Sequence, residues 1–500
     1  MRTALMLFPL FIGLSCLLFA VPQTQSFPTA VPVQVEAAGK QTYADASIVP
    51  APEDPFPERL IVPATNSSSS RGYLTTPGEL RIIAAKAERG IEPYESAVSE
   101  VLKAAEKDWD YKLEANVDCP TADEPEWIDD QEGIPALYGK ALAYHLTGEE
   151  AYAEEVKDIL EKIMVEVETI TLANQQCRLN FSWGTPELVA SADLIETYWY
   201  DMECEGPASS IYGQTLKTRG SCKELFQNWL VKNPYYVVSY SAERAQSNWG
   251  AAATNAAMYI ADYLWDREDI QLIARTGKER RSEAEVSLTP GEAYALARQQ
   301  ALDRMNGLRV ELDSNQSCDF LSGRQQSSDF PPVKSQITEL GIIPEDARRD
   351  EYCNIQVYDS DYQNYPQVHL GNNIQQCELM LRRGDSSCYD NVSKTKITNF
   401  EFVGPDGKTH TTDLNEGRGS IERAIKAIIV DAGMEWRRTS ALEVAYRYYL
   451  DEHTLPGFEQ WFEQFDRPGR CSQDICFGTL THGFADGEKP QDPPVVRPPQ

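Results

Sequence analysis

The stretch S247-N-W-G-A-A-A-T-N-A-A-M-Y-I-A-D-Y-L-W-D266 decides how this chain is read. Gly and Ala recur along it at three- and four-residue steps, with Met258, Tyr259, Ile260, Tyr263, Leu264 and Trp265 towards its end, the pattern of a buried helix. The small residues let neighbouring helices approach closely, as an inner ring of tightly packed helices requires; a buried helix of any large bundle gives the same pattern. Asn248 and Trp249 stand at its first turn, with Gln246 and Arg244 just before. An amide at a helix N-terminus can donate to an anion with the helix dipole behind it. Equally, Ser247 or Asn248 can simply cap the helix.

On either side the chain reads as one amphipathic helix after another. "TPGELRIIAAKAERG" opens on a Thr cap with Pro in the first turn and closes on Gly90. "IPALYGKALAYHLTG", "EEAYAEEVKDILEKIMVEVE", "TPELVASADLIETYWY", "TPGEAYALARQQALDRMNGL" and "ALEVAYRYYLDE" follow the same period. Strand-like runs are few, and the best, "TKITNFEFVGPDG", predicts a small hairpin near residues 395–414. The fold class is mainly α, with helices packed on helices.

The first twenty residues, "MRTALMLFPLFIGLSCLLFA", have the layout of a secretory signal, a positive charge followed by an apolar run. Residues 1–26 are therefore expected to be a signal peptide, 27–75 a flexible Pro/Ser-rich lead-in, 76–486 the folded domain and 487–500 a Pro-rich tail. No later stretch is apolar enough to span a bilayer, so a secreted or periplasmic monomer with no membrane contact after cleavage is expected. The chain holds 11 cysteines, one of them, Cys16, inside the leader. The rest read as a disulfide framework. Cys204–Cys222, Cys377–Cys388 and Cys471–Cys476 are the pairs that close short loops. No Cys-x2-Cys pair suggests zinc. A net charge of −31 argues against nucleic acid as a partner.

Two further segments concentrate polar groups. "IIPEDARRD", 342–350, leads into "YDSDYQNYPQVHL", 358–370. Arg348 or Arg349 can grip a carboxylate with a bidentate fork. A tyrosine beside a guanidinium is a plausible base. Tyr365 and His369 lie four residues apart, on one helix face. The plainer reading pairs Arg348 with Glu345 or Asp346 at the surface and puts Tyr365 in the core. "CFGTLTHGF", 476–484, holds His482 in a Gly-bounded segment; His145, His410 and His453 read as helix-end or surface residues. No G-x-S-x-G elbow, H-E-x-x-H helix or phosphate-binding glycine loop occurs.

Together, "SNWGAAATNAAMYIA", "GIIPEDARRD…YPQVHLGNNIQQCELMLRRG" and "SALEVAYRYY" resemble the alginate-lyase superfamily of polysaccharide lyases, in order along the chain from about Pro77 to Phe484. The resemblance implies an (α/α) toroid, an incomplete barrel of helical hairpins. It also implies β-elimination of an acidic, uronate-containing polysaccharide of the alginate or glucuronan type, without a cofactor. It assigns Asn248 and Arg348 to neutralising the uronate carboxylate and Tyr365 to proton transfer. Trp249 stands where many members carry a histidine, which makes His369 or His482 a stand-in. The interval from Arg348 to Tyr365 is longer than is usual in the family and leaves Tyr358 as a rival base. Trp249, Tyr358, Arg349, Gln246 and His482 are the expected substrate contacts. A paired-carboxylate glycoside hydrolase on the same toroid, or a binding protein on a degenerate lyase scaffold, are the alternatives.

Overall fold

Thr76 accepts from the Glu79 N–H and Pro77 follows it, so the first helix, α1 (Pro77–Ala87), starts where its residues say. α2 (Tyr94–Ala105), α3 (Gly133–Thr147), α4 (Glu150–Glu166), α5 (Gln175–Leu194), the short α6 (Glu196–Trp199), α7 (Cys222–Leu230), α8 (Tyr236–Arg244), α9 (Ser247–Tyr263) and α10 (Pro290–Met305) come next. The chain ends through α11 (Pro344–Ala347), α12 (Ser360–Arg382), α13 (Ile421–Lys426), α14 (Thr439–Glu452) and α15 (Gly478–His482). The computed structural model describes residues 70–485, except 119–124, 129–131, 173–174, 207–209, 212–213, 216–218, 246, 277–283, 309–334, 349–354, 358–359, 437–438, 453–466, 470 and 472–474, together with the pairs 61–62 and 495–496.

Three levels of contact fix how the inner helices run. Leu179 of α5, Trp249 and Ala252 of α9 and Val368 of α12 form one apolar cluster near the helix starts. In the middle, Gln375 of α12 donates to Glu187 of α5 at 3.1 Å and accepts from Asn255 of α9. At the far ends Arg383, just past α12, forks onto Asp262 of α9 at 2.7 and 2.9 Å. The same order at all three levels makes α5, α9 and α12 parallel. His145 near the end of α3 reaches the Leu194 carbonyl that ends α5, at 2.6 Å, so α3 runs with them. α8 and α10 return the other way: Arg304 at the end of α10 donates to Thr254 near the start of α9 and to the Ala242 carbonyl near the end of α8.

Neighbour contacts pass from α3 to α5, α9, α12, α14 and α15, and α15 packs back on α1 and α2. The chain is thus mainly helical, an (α/α) toroid of parallel inner helices and returning outer ones. Close packing inside it depends on small residues: a Cβ at Gly250 would lie 2.1 Å from the Ala245 carbonyl oxygen.

The expected hairpin is present as Ile397–Val403 paired antiparallel with Thr409–Leu414. Its Phe400 and Leu414 pack on Ile342 and Ala347, so it braces α11. A second hairpin, Leu272–Thr276 with Ala284–Leu288, was not expected from the sequence. The residues just ahead of α1 are packed as well. Tyr73 and Leu74 are buried, and the Asp193 carboxylate at the end of α5 takes the Ser70 hydroxyl and the Arg71 and Gly72 N–H groups at 2.6–2.9 Å. Cys204–Cys222, Cys377–Cys388 and Cys471–Cys476 are disulfides as expected, and Cys177 is disulfide-bonded too. Among the described residues no helix is long and apolar enough to cross a membrane.

Candidate active site

The polar residues of α11 meet the start of α9 and His369, the tenth residue of α12, on the side of the inner ring where α9 begins. Pro344 presets the first turn of α11, and Glu345 and Asp346 follow inside it. Both acids are buried. Asp346 turns one carboxylate oxygen to the Asn248 backbone N–H at 2.9 Å and the other to Nδ1 of His369 at 2.7 Å. It therefore caps α9 from a distant element and orients an imidazole at the same time. An ionised carboxylate only accepts, so Nδ1 carries a proton towards Asp346. No donor or acceptor among the described residues bonds Nε2.

The turn into α9 is held against a local cost. Ser247 sits at φ +63°, the left-handed region, where a non-glycine residue pays of order 1–2 kcal/mol. Its N–H donates to the Ser335 hydroxyl at 2.9 Å, and the next N–H goes to Asp346. The result sets Asn248, itself buried, beside Asp346.

Arg348 pairs with Glu345 at 2.6 Å. The partner is one of the two that the plainer reading named, but the location is not the surface: the two side chains are 4 and 2 % exposed. Tyr365 lies one turn before His369 on α12 and is half-buried, with Pro366 inside the helix behind it. Trp249, half-buried, packs with Leu179, Trp183, Ala252 and Val368, so two indoles wall this face. Ile355 and Val357, between Arg348 and Tyr365, are pinned to the hairpin through the Val403 backbone at 2.7 and 3.2 Å.

His482 is not part of this cluster. It is fully buried, with Nδ1 on the Thr481 hydroxyl and Nε2 3.1 Å from Glu378. Glu378 is nine residues beyond His369 on α12, roughly 13–14 Å along the axis. Burial pushes the His482 ring below the ordinary imidazole range, against the pull of Glu378. Burial alone would raise Glu378, but the neighbouring His482 and Arg382 outweigh it and hold the carboxyl down. Gln246, Arg349 and Tyr358 lie outside the described residues.

No family description and no curated protein matches this chain. Among solved structures it is similar to an alginate lyase from Bacteroides ovatus. The match covers 83 % of this chain and 99 % of that one, at 14 % identity and a TM-score of 0.45.

Sequence reading missed Asp346 as an organiser and named it only as a partner for Arg348. Nothing local could have shown its role, since its two partners are 98 and 23 residues away. Trp183 of α5 also borders the cluster. The run "CRLNFSW" announced it only by placing Arg, Asn and Ser inside an otherwise apolar helix.

Proposed function

We propose that the protein is an exported lyase that cleaves a uronate-containing polysaccharide by β-elimination. The observation that carries this reading is the Asp346–His369 pair beside Asn248, with Tyr365, half-buried, one turn earlier on α12. β-Elimination needs a group to take the proton at C5, a group to protonate the leaving O4, and positive or donor groups on the carboxylate while charge builds there. Tyr365 takes the C5 proton and returns it to O4. Before it can do so its own phenolic proton must leave, and Nε2 of His369, set as an acceptor by Asp346, receives it. The pair shares one helix face, four residues apart. Asn248 and Arg348 stabilise the carboxylate as it becomes an enediolate, an effect commonly worth a few kcal/mol per donor.

The parallel inner helices support the substrate class. The first turns of α5 and α9 lie at the level of the candidate site, so their dipoles favour an anion there, within a chain of net charge −31. Trp249, half-buried, offers a flat apolar surface for a sugar ring. The disulfides fit an oxidising, exported setting.

The test is incubation with a panel of alginate blocks and glucuronan while following the ultraviolet absorbance of an unsaturated uronate. New reducing ends without that absorbance would mean hydrolysis, and would replace this reading with a glycoside hydrolase. Binding with no cleavage of any kind would make the protein a polysaccharide binder.

A further inference from the structure

A cavity of about 130 Å³ lies among α11, the start of α12, the Ile397–Val403/Thr409–Leu414 hairpin and the stretch from Arg423 to Ala432. Its wall is mainly apolar, with Ile342, Ala347, Pro366, Phe402, Ala427 and Ile428 contributing. The charged residues that line it are Arg423 and Asp431, paired with each other at 2.7 Å. Their side chains are 26 and 46 % exposed, so the ion pair stands at the mouth. Arg423 also donates to the Glu339 carbonyl at 3.1 Å, which holds the guanidinium in place. Among the described residues Asp431 has no other partner than Arg423.

The backbone is irregular where the cavity opens. α13 passes directly into a π-helical turn, Ala427–Asp431, closed by the Ala432 N–H on the Ala427 carbonyl at 2.9 Å. Single π-turns of this kind are frequent at functional sites. Ala427, Ile428 and Asp431 of the turn all line the cavity. Two parts of the opposite wall belong to the candidate active site. Ala347 stands between Arg348 and Asp346, which holds Nδ1 of His369 at 2.7 Å, and Pro366 directly follows Tyr365. Close-packed interiors transmit strain, so whatever fills the cavity presses on the elements that set those groups.

We propose that this cavity binds a small phenol, its ring among the apolar residues and its hydroxyl on the Arg423–Asp431 pair, and that occupancy is felt at His369. The size fits, since an apolar cavity of about 150 Å³ takes up benzene. An empty space lined by Ile, Phe and Pro forfeits dispersion contacts that a ring restores, and Phe402 favours an aromatic neighbour. The mouth calls for a hydroxyl. Asp431 accepts and Arg423 donates, and one phenolic O–H fills both roles. A carboxylate there would meet the charge of Asp431, and a plain hydrocarbon would cover the ion pair without bonding to it. The site stands apart from the lyase reading and does not depend on it.

The test titrates the exported protein with 4-fluorophenol and with fluorobenzene, read by fluorine NMR. Wild type should bind the phenol saturably, with Kd on the order of 1 mM or tighter, as the free energy available per ligand atom allows. Fluorobenzene should bind about 10-fold more weakly, for want of a hydrogen bond to a charged group. Ala427→Leu and Ala432→Leu put a larger side chain into the space and should weaken both ligands about 10-fold or more. Asp431→Ala should remove the preference for the phenol and leave fluorobenzene unchanged. Coupling is read from the imidazole signals of protein labelled at its 5 histidines, with His369 identified by its loss in His369→Gln. The His369 signal should move in step with phenol binding in wild type, and should not move in Ala432→Leu at the same phenol concentration. Binding that does not saturate, equal affinity in the filled variants, or a His369 signal that stays still at saturation would each overturn the proposal. Thermal unfolding identifies any variant that fails to fold, and Ala432→Leu, at a half-buried position, keeps the test decisive where Ala427→Leu does not fold. Absence of elimination activity leaves every one of these readouts intact.

Discussion

At the scale of single residues, the proton-transfer assignment separates into distinct outcomes. Tyr365→Phe keeps ring and packing but removes the oxygen, so kcat should collapse while binding of the polymer persists. His369→Gln should cost on the order of 10²–10⁴-fold in kcat, the usual size of a general acid–base contribution. If His369→Gln leaves kcat unchanged, the imidazole is structural. Arg348 needs a paired test, because Arg348→Ala strands Glu345 as a buried carboxylate and should cost stability of about 3–5 kcal/mol by denaturant unfolding. The double variant Glu345→Gln/Arg348→Met should recover most of that stability. Turnover that stays lost in the double variant marks a charge-stabilising role for Arg348; turnover that returns marks a packing role. Asn248, Arg348, Tyr365 and His369 were candidates because polar groups cluster there in the sequence and because of the family resemblance. Asp346 was not, because orienting an imidazole is a property of three separate segments meeting.

The helices themselves carry their ends in their sequence, as the Thr76 and Thr289 caps and Gly148 after α3 make plain. The hairpin Leu272–Thr276/Ala284–Leu288 went unread for a physical reason. Its strands are five residues each, with Leu272 and Ala274 fully buried on the first, so its alternation is too short to stand out. Helix direction was equally illegible, since it depends on which ends touch. The touching ends are strongly bound: Asp262, at the end of α9, is gripped by Arg71 at 2.9–3.1 Å and by Arg383 at 2.7–2.9 Å. Burial would raise this carboxyl, but Arg383 and Arg71 outweigh it and hold it well below the usual carboxylate range. Asp262→Asn would leave two guanidiniums without their counter-charge and should cost about 3–5 kcal/mol in equilibrium unfolding. A loss under about 1 kcal/mol would mean that the cage is dispensable.

For the molecule as a whole, one buried acid predicts how stability varies with pH. Burial raises the Glu196 carboxyl to about 7 from 4.5, although Lys223, 2.8 Å away, pulls the other way. The folded protein therefore holds this proton more tightly than the unfolded chain does. Its contribution is fully present below 4.5 and is lost as pH rises through 7. Melting temperatures of Glu196→Gln and wild type should thus converge at low pH, with wild type falling behind between those limits. A constant offset would deny the shift. The Asp193 grip on Ser70, Arg71 and Gly72 has a practical consequence for handling the protein. It fixes the point where the polypeptide enters at the C-terminal ends of α5 and α9, on the opposite side from Trp249 and Tyr365. An attachment residue engineered just ahead of Ser70 would therefore mount the protein on a solid support with its candidate site outward, whereas a chain shortened to begin inside 70–74 would lose the grip itself.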